Sequence, residues 1–178
     1  TRVDGLTSID GILIVNNSFS LPEGYGIGAI QNDAYAEFKK LLSDARADGV
    51  HFSLLSGYRS YRVQKEIYDD YVSKHGKEAA DKTVARPGYS EHQTGYALDL
   101  NNADENFGNT AEGKWLAANC AKYGFIIRYP KGKESVTGRA YQPWHIRYVG
   151  PELATKLYNN GKWIALEEYF GISSVYSK

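Results

Sequence analysis

The segment Tyr96-Ala97-Leu98-Asp99-Leu100 sets an aspartate inside an apolar strand, and no other feature constrains the chain as much. Side chains alternate between the two faces of a strand, so Tyr96, Leu98 and Leu100 point one way and Ala97 and Asp99 the other. A carboxylate buried in that position needs a partner or a metal. His92 stands seven residues earlier, a separation of about 23 Å on a straight strand at roughly 3.3 Å per residue. Two ligands of one zinc bring their donor atoms within about 2 Å of the metal. The chain must therefore fold back between them, and Thr94-Gly95 is where it can, because glycine supplies the backbone freedom.

A third candidate ligand, His145, lies 46 positions beyond Asp99 in Gln142-Pro143-Trp144-His145, on a separate strand. Two imidazoles and a carboxylate hold a catalytic zinc while leaving a fourth position open. Each histidine taken singly also has an ordinary structural reading, and the spacing leaves both open. The position three before His145 is where such a site wants its general base. Here it is Gln142, which cannot take up a proton. His51 and His75 lack comparable company and read as surface or satisfied structural residues.

Twenty-one basic and twenty-one acidic residues in a chain of 178 give a formal net charge of zero, which argues against a nucleic-acid partner. No stretch approaches the roughly 20 apolar residues that span a bilayer. The apolar run over 11–15 is too short for a signal-peptide core. A start at Thr1 and the lack of any methionine suggest a processed or trimmed chain, compatible with a removed signal or anchor. The single cysteine, Cys120, falls in an apolar helical pattern and reads as a small core residue, not a catalytic thiol.

Periodicity predicts helices over 32–47, 61–74 and from Thr110 to Gly124, with a fourth opened by Pro151 and a short one over 166–170. The expected inward faces are Ala34, Phe38, Leu41, Leu42 and Ala45 in the first, Val63, Ile67 and Tyr71 in the second, and Trp115, Leu116, Cys120 and Tyr123 in the third. Strands are expected over 12–15, 50–54, 96–100, 125–128 and 144–149. Short, non-alternating strands with helices at both ends indicate an α+β fold, an antiparallel sheet flanked by helices.

Three motifs carry a resemblance. They are Ser56-Gly57-Tyr58-Arg59-Ser60-Tyr61 with Gln64, then Pro87-Gly88-Tyr89-Ser90-Glu91-His92-Gln93-Thr94-Gly95 with Ala97 and Asp99, and finally Pro143-Trp144-His145 with Arg147-Tyr148-Val149-Gly150. In that order they resemble the VanY-type D-alanyl-D-alanine carboxypeptidases, zinc peptidases that share a fold with the hedgehog signalling domain. The resemblance implies one zinc peptidase domain over 31–178, with residues 1–30 an N-terminal arm packed on it. It implies Zn2+ on His92, Asp99 and His145. Arg59 would bind the terminal carboxylate of a peptidoglycan stem peptide, aided by Gln64 and Ser90. An arginine suits that task because it pairs bidentately with a carboxylate and stays charged.

The same resemblance implies removal of a C-terminal D-alanine, from either a D,D or an L,D bond, on the extracytoplasmic face of a bacterial cell. A cytoplasmic location is the alternative, and the chain is expected to be a monomer. The departure is Gln142, where the family carries a glutamate general base that takes a proton from the attacking water. Losing such a base costs about 10²–10⁴-fold in rate. An engineered Glu-to-Gln change made to trap a peptide fits the isosteric choice. A natural pseudoenzyme that binds stem peptides, or a hedgehog-like zinc domain used for interaction, is the other reading. Glu91 is discounted as a substitute base because neighbours on an extended stretch face opposite ways, and Glu134 because it lies in a Lys/Gly-rich loop.

Overall fold

The computed structural model describes residues 1–178. At the start, β1 (Arg2–Val3), β2 (Leu6–Ile9) and β3 (Ile12–Ile14) form a small antiparallel meander, of which sequence periodicity had indicated only the last strand. The first helix, α1 (Asn32–Ala47), buries Ala34, Phe38, Leu41 and Ala45, while Leu42 stays at the margin.

The central sheet comprises β4 (Leu54–Ser56), β5 (Ala97–Leu100), β6 (Phe125–Tyr129) and β7 (Gln142–Tyr148), in the order β4-β5-β7-β6. Every neighbouring pair is antiparallel. The strand expected over 50–54 is displaced to Leu54–Ser56. Its would-be partner turns away at Asn101, which has φ +56° and whose side chain accepts from the Ser53 N–H. Residues 50–53 therefore have no ladder to join.

The two faces of this sheet have different coverings. Leu98, Ile127 and Ile146 lie in register on one face and join Phe38 and Leu41 of α1 and Leu116 of α4 (Ala111–Asn119) in the larger core. Burying each such side chain contributes about 1.5–3 kcal/mol. Thr110 caps α4 by accepting from Gly113 N–H. Leu116 and Cys120 are buried as expected, with Trp115 and Tyr123 packed at the edge. The opposite face carries Asp99, His145 and Arg147, and there Ile126 packs with Ile14, Leu157 of α6 (Pro151–Tyr158) and Leu166 of α7 (Leu166–Phe170).

In the second helix the expected face is only partly right: Ile67 and Tyr71 are half-buried and line a cavity, but Val63 is not. In α2 (Tyr61–His75) the buried residues are Gln64 and Tyr68, whereas Val63 is 41% exposed. The helix presents a polar stripe inward because hydrogen-bond partners wait there. Gln64 donates to the Ala85 carbonyl and Tyr68 donates to Asp81. Asp81 belongs to α3 (Lys77–Thr83), which, like the single turn α5 (Glu134–Thr137) where a loop was expected, periodicity did not reveal.

Candidate active site

Register alone brings two of the site residues together. Asp99 on β5 lies directly opposite His145 on β7 and pairs on its other side with Ser56 on β4. His92 comes from a single 3₁₀ turn, Glu91–Thr94, ended by Gly95 at φ +77°. This is the reversal that the short spacing to Asp99 demanded. A side chain at Gly95 would also stand 2.6 Å from the Ala29 carbonyl, so a glycine is needed there on two counts.

The donor atoms converge. His92 Nε2 lies 3.1 Å from Asp99 Oδ2, and His145 Nδ1 lies 3.0 Å from Asp99 Oδ1. All three residues are buried, with one potential ligand atom from each lying within 4.8 Å of the others. His92 Nδ1 sits 2.7 Å from the Gly57 carbonyl, which can only accept, so Nδ1 carries the proton. Neutral His92 then aims a bare Nε2 lone pair at a carboxylate oxygen, and Nε2 has no hydrogen-bond donor. Two lone-pair donors held this close, both buried, suit a cation between them, and an N,N,O set suits zinc.

The electrostatics follow from burial and neighbours. Burial lowers the pKa of His92, a shift the nearby Arg59 reinforces and Asp99 opposes. Burial would raise the Asp99 carboxyl, but the His92 and His145 imidazoles beside it outweigh that and hold Asp99 well below the usual range. Burial lowers the Arg59 guanidinium somewhat, with Asp99 opposing. Arginine keeps its charge across any such shift.

Arg59, Ser90, His92, Asp99, Gln142 and His145 all line one cavity of about 270 Å³. Gln64 stands behind it, accepting from Arg59 Nε at 3.1 Å, while Ser56 Oγ accepts from Arg59 Nη1 at 3.0 Å. Ser90 Oγ accepts from the His92 N–H and so caps the 3₁₀ turn. Gln142 donates from Nε2 to the Thr83 carbonyl at 3.2 Å. His51 and His75 are exposed and away from this group, as expected.

Sequence reasoning missed what lies behind His145. Glu91 is in the 3₁₀ turn, not on an extended stretch, and is fully buried. Its Oε1 faces His145 Nε2 at 3.5 Å and Arg128 Nε at 2.9 Å, and its Oε2 accepts from Arg147 Nη1. Burial would raise the Glu91 carboxyl, but Arg128 and Arg147 hold it well below the usual range. Glu167 of α7 takes a bidentate pair from Arg128. The available signal was the one used for Asp99: Arg128 and Arg147 sit in apolar strands and need counter-charges. A negative Glu91 favours the proton on His145 Nε2, which leaves Nδ1 free on the Asp99 side. Glu91 still cannot serve as a base, since it faces the rear of His145 and is committed to two arginines.

Comparison with known proteins agrees with this geometry. The family model described as "VanY: D-alanyl-D-alanine carboxypeptidase" matches residues 28–151. The chain belongs to the VanY family. A D-alanyl-D-alanine carboxypeptidase of Enterococcus faecalis is 46% identical over 72% of this chain, which spans about half (51%) of that protein. The LdcB LD-carboxypeptidase structure superposes with a TM-score of 0.83 at 42% identity, covering 93% of this chain and 89% of LdcB. A VanY D,D-pentapeptidase from the VanB-type resistance cassette, solved with Zn(II), gives a TM-score of 0.77 at 39% identity over 88% of this chain and 97% of the other. The fold is thus the hedgehog-like α+β fold of these peptidases, and the family comprises D,D- or L,D-carboxypeptidases of bacterial peptidoglycan.

Proposed function

We propose that this chain is a zinc-dependent carboxypeptidase scaffold that holds stem peptides by a C-terminal D-alanine, and that Gln142 leaves it without its proton acceptor. The observation that carries the reading is the shared cavity. It joins three buried donors suited to zinc, an arginine braced by Ser56 and Gln64, and an amide at the general-base position. Polarisation of the scissile carbonyl and activation of water are the chemistry that a zinc on His92, Asp99 and His145 supplies.

The chain's own residues do the rest. Arg59 takes the terminal carboxylate, and Ser56 and Gln64 fix its plane so that little freedom is lost on binding. Gln64 acts through Arg59, because both ends of its amide are already engaged. Ser90 lines the same cavity and keeps His92 in place through the capped turn. The Gln142 amide nitrogen is anchored on the Thr83 carbonyl and can neither accept nor relay a proton.

That anchor favours a chain that binds its peptide without cutting it, whether as an engineered trap or as a natural binding module. Acting on the cell wall, the chain would work outside the cytoplasm. The test is Gln142→Glu, with zinc, against tetrapeptide and pentapeptide stems. Release of D-alanine should rise by about 10²–10⁴-fold over the unaltered chain. A variant that binds zinc and peptide yet stays inactive on both stems would remove the carboxypeptidase reading.

A further inference from the structure

A second arginine lines the same cavity and has no acid to pair with. Arg139 is only 4% exposed, yet no carboxylate lies within ion-pair distance of it. The nearby Asp81 is taken by Arg86 in a pair of hydrogen bonds. Arg139 donates only to neutral oxygens: the Asp81 carbonyl at 3.3 Å, the Gly138 carbonyl at 3.2 Å and the Tyr176 hydroxyl at 2.9 Å. Three bonds leave two of the five guanidinium N–H donors for a ligand. A buried charge in this condition is costly unless something completes it.

The surroundings hold Arg139 firmly. Tyr176 packs under the Arg86 guanidinium at 3.9 Å and accepts from the Arg86 N–H, so its hydroxyl is fixed in place. The wall that faces the cavity is pinned at alternate carbonyls: Arg139 on Asp81, Gln142 on Thr83 and Gln64 on Ala85. Asp81 and Thr83 belong to the end of α3 and Ala85 follows it, so Arg139, Gln142 and the Arg59–Gln64 pair are held by carbonyls of one short stretch of chain. Arg59, Arg139 and the three candidate metal ligands all line this one cavity.

We propose that Arg139 binds a second carboxylate of the peptide, on the N-terminal side of the terminal D-alanine. This rests on the reading of the cavity as a stem-peptide site. Two sources share that chemistry: the free α-carboxylate of an acidic residue linked through its side chain, and the side-chain carboxylate of a diamino diacid at the next position. The ligand would then be measured from both ends, which makes the cavity selective for acidic stems over amidated ones.

The experiment is calorimetric titration of the zinc-loaded chain with four synthetic stems ending in D-alanine. One carries both internal carboxylates, two carry one each with the other amidated or absent, and one carries neither. A charge-assisted contact to a buried arginine should make the matching acidic stem bind about 10-fold tighter or more than its neutral counterpart. The single-carboxylate stem that keeps the advantage identifies the source. Arg139→Gln should erase that preference while leaving the neutral stem unchanged. Equal affinity of all four stems for the unaltered chain overturns the proposal without needing any variant, as does a preference that persists in Arg139→Gln. A fifth stem, with its terminal carboxylate amidated, separates the two levels. If amidating that end costs no affinity, or if no stem binds, the reading of the cavity itself has failed.

Discussion

The two sides of His145 are built on opposite principles. On the cavity side, His92, Asp99 and His145 bring lone pairs together, Arg59 stands 3.5 Å from Asp99, and Arg139 lines the cavity without an acid. On the rear side, Glu91, Arg128, Arg147 and Glu167 form a closed alternation of charge, reaching Leu13 on β3 through Arg147 and Asn16 through Glu167. One cluster leaves lone pairs facing each other; the other pairs each of its charges with an opposite one. The contrast shows how a side chain that faces an open cavity can be held rigid from behind. The rear network fixes the imbalance that the front exploits.

The largest effect should come from breaking the rear. Glu91→Gln leaves Arg147 without its buried counter-charge and Arg128 with Glu167 alone, and should destabilise the chain by about 3–5 kcal/mol in a urea titration. It should also weaken zinc binding by about 10–100-fold through loss of the partner on His145 Nε2. The pH dependence has a defined sign. The folded Glu91 carboxyl is held below its ordinary value of 4.5, so its contribution is present above that pH and is lost as the pH falls below it. The variant should lack that portion of the acid loss.

A smaller effect should come from completing the front. Zinc at 100 times its Kd should stabilise the folded chain by about 2.7 kcal/mol, read as a rise in Tm. His92→Ala should abolish the rise, and an unaltered chain whose Tm ignores zinc would contradict the metal assignment. The smallest effect probes neither cluster. Cys120 lies in the larger core, where burial pushes its thiol pKa up. It should resist a thiol reagent at pH 8 until urea unfolds the chain, with no change on adding zinc.

Much of this was legible beforehand where spacing and periodicity act locally. The bounds of α1 and α7, the Thr110 cap and the reversal at Gly95 follow from the residues in each segment. Legibility failed where a distant partner set the outcome. Periodicity put Val63 inward in α2, but Gln64 is buried because Arg59 and the Ala85 carbonyl lie beside it. The strand expected over 50–54 shrank because Asn101 ends the neighbouring ladder. Glu91 was discounted on an assumed extended backbone, and the 3₁₀ turn points it instead at two arginines from β6 and β7.

The sequence by itself determined that Asp99 needs a partner or a metal, that the chain must reverse after His92, and that an amide stands three residues before His145. These follow from the chemistry of single residues and from chain reach over a few positions. Only the tertiary structure decided which nitrogen of each histidine faces Asp99, because that depends on Gly57 and Glu91 standing at the far side of each ring. It also decided that Arg139 is buried in the cavity without an acid, since the groups around it come from three separate parts of the chain. A side chain's valence is local, but what satisfies it is set by packing.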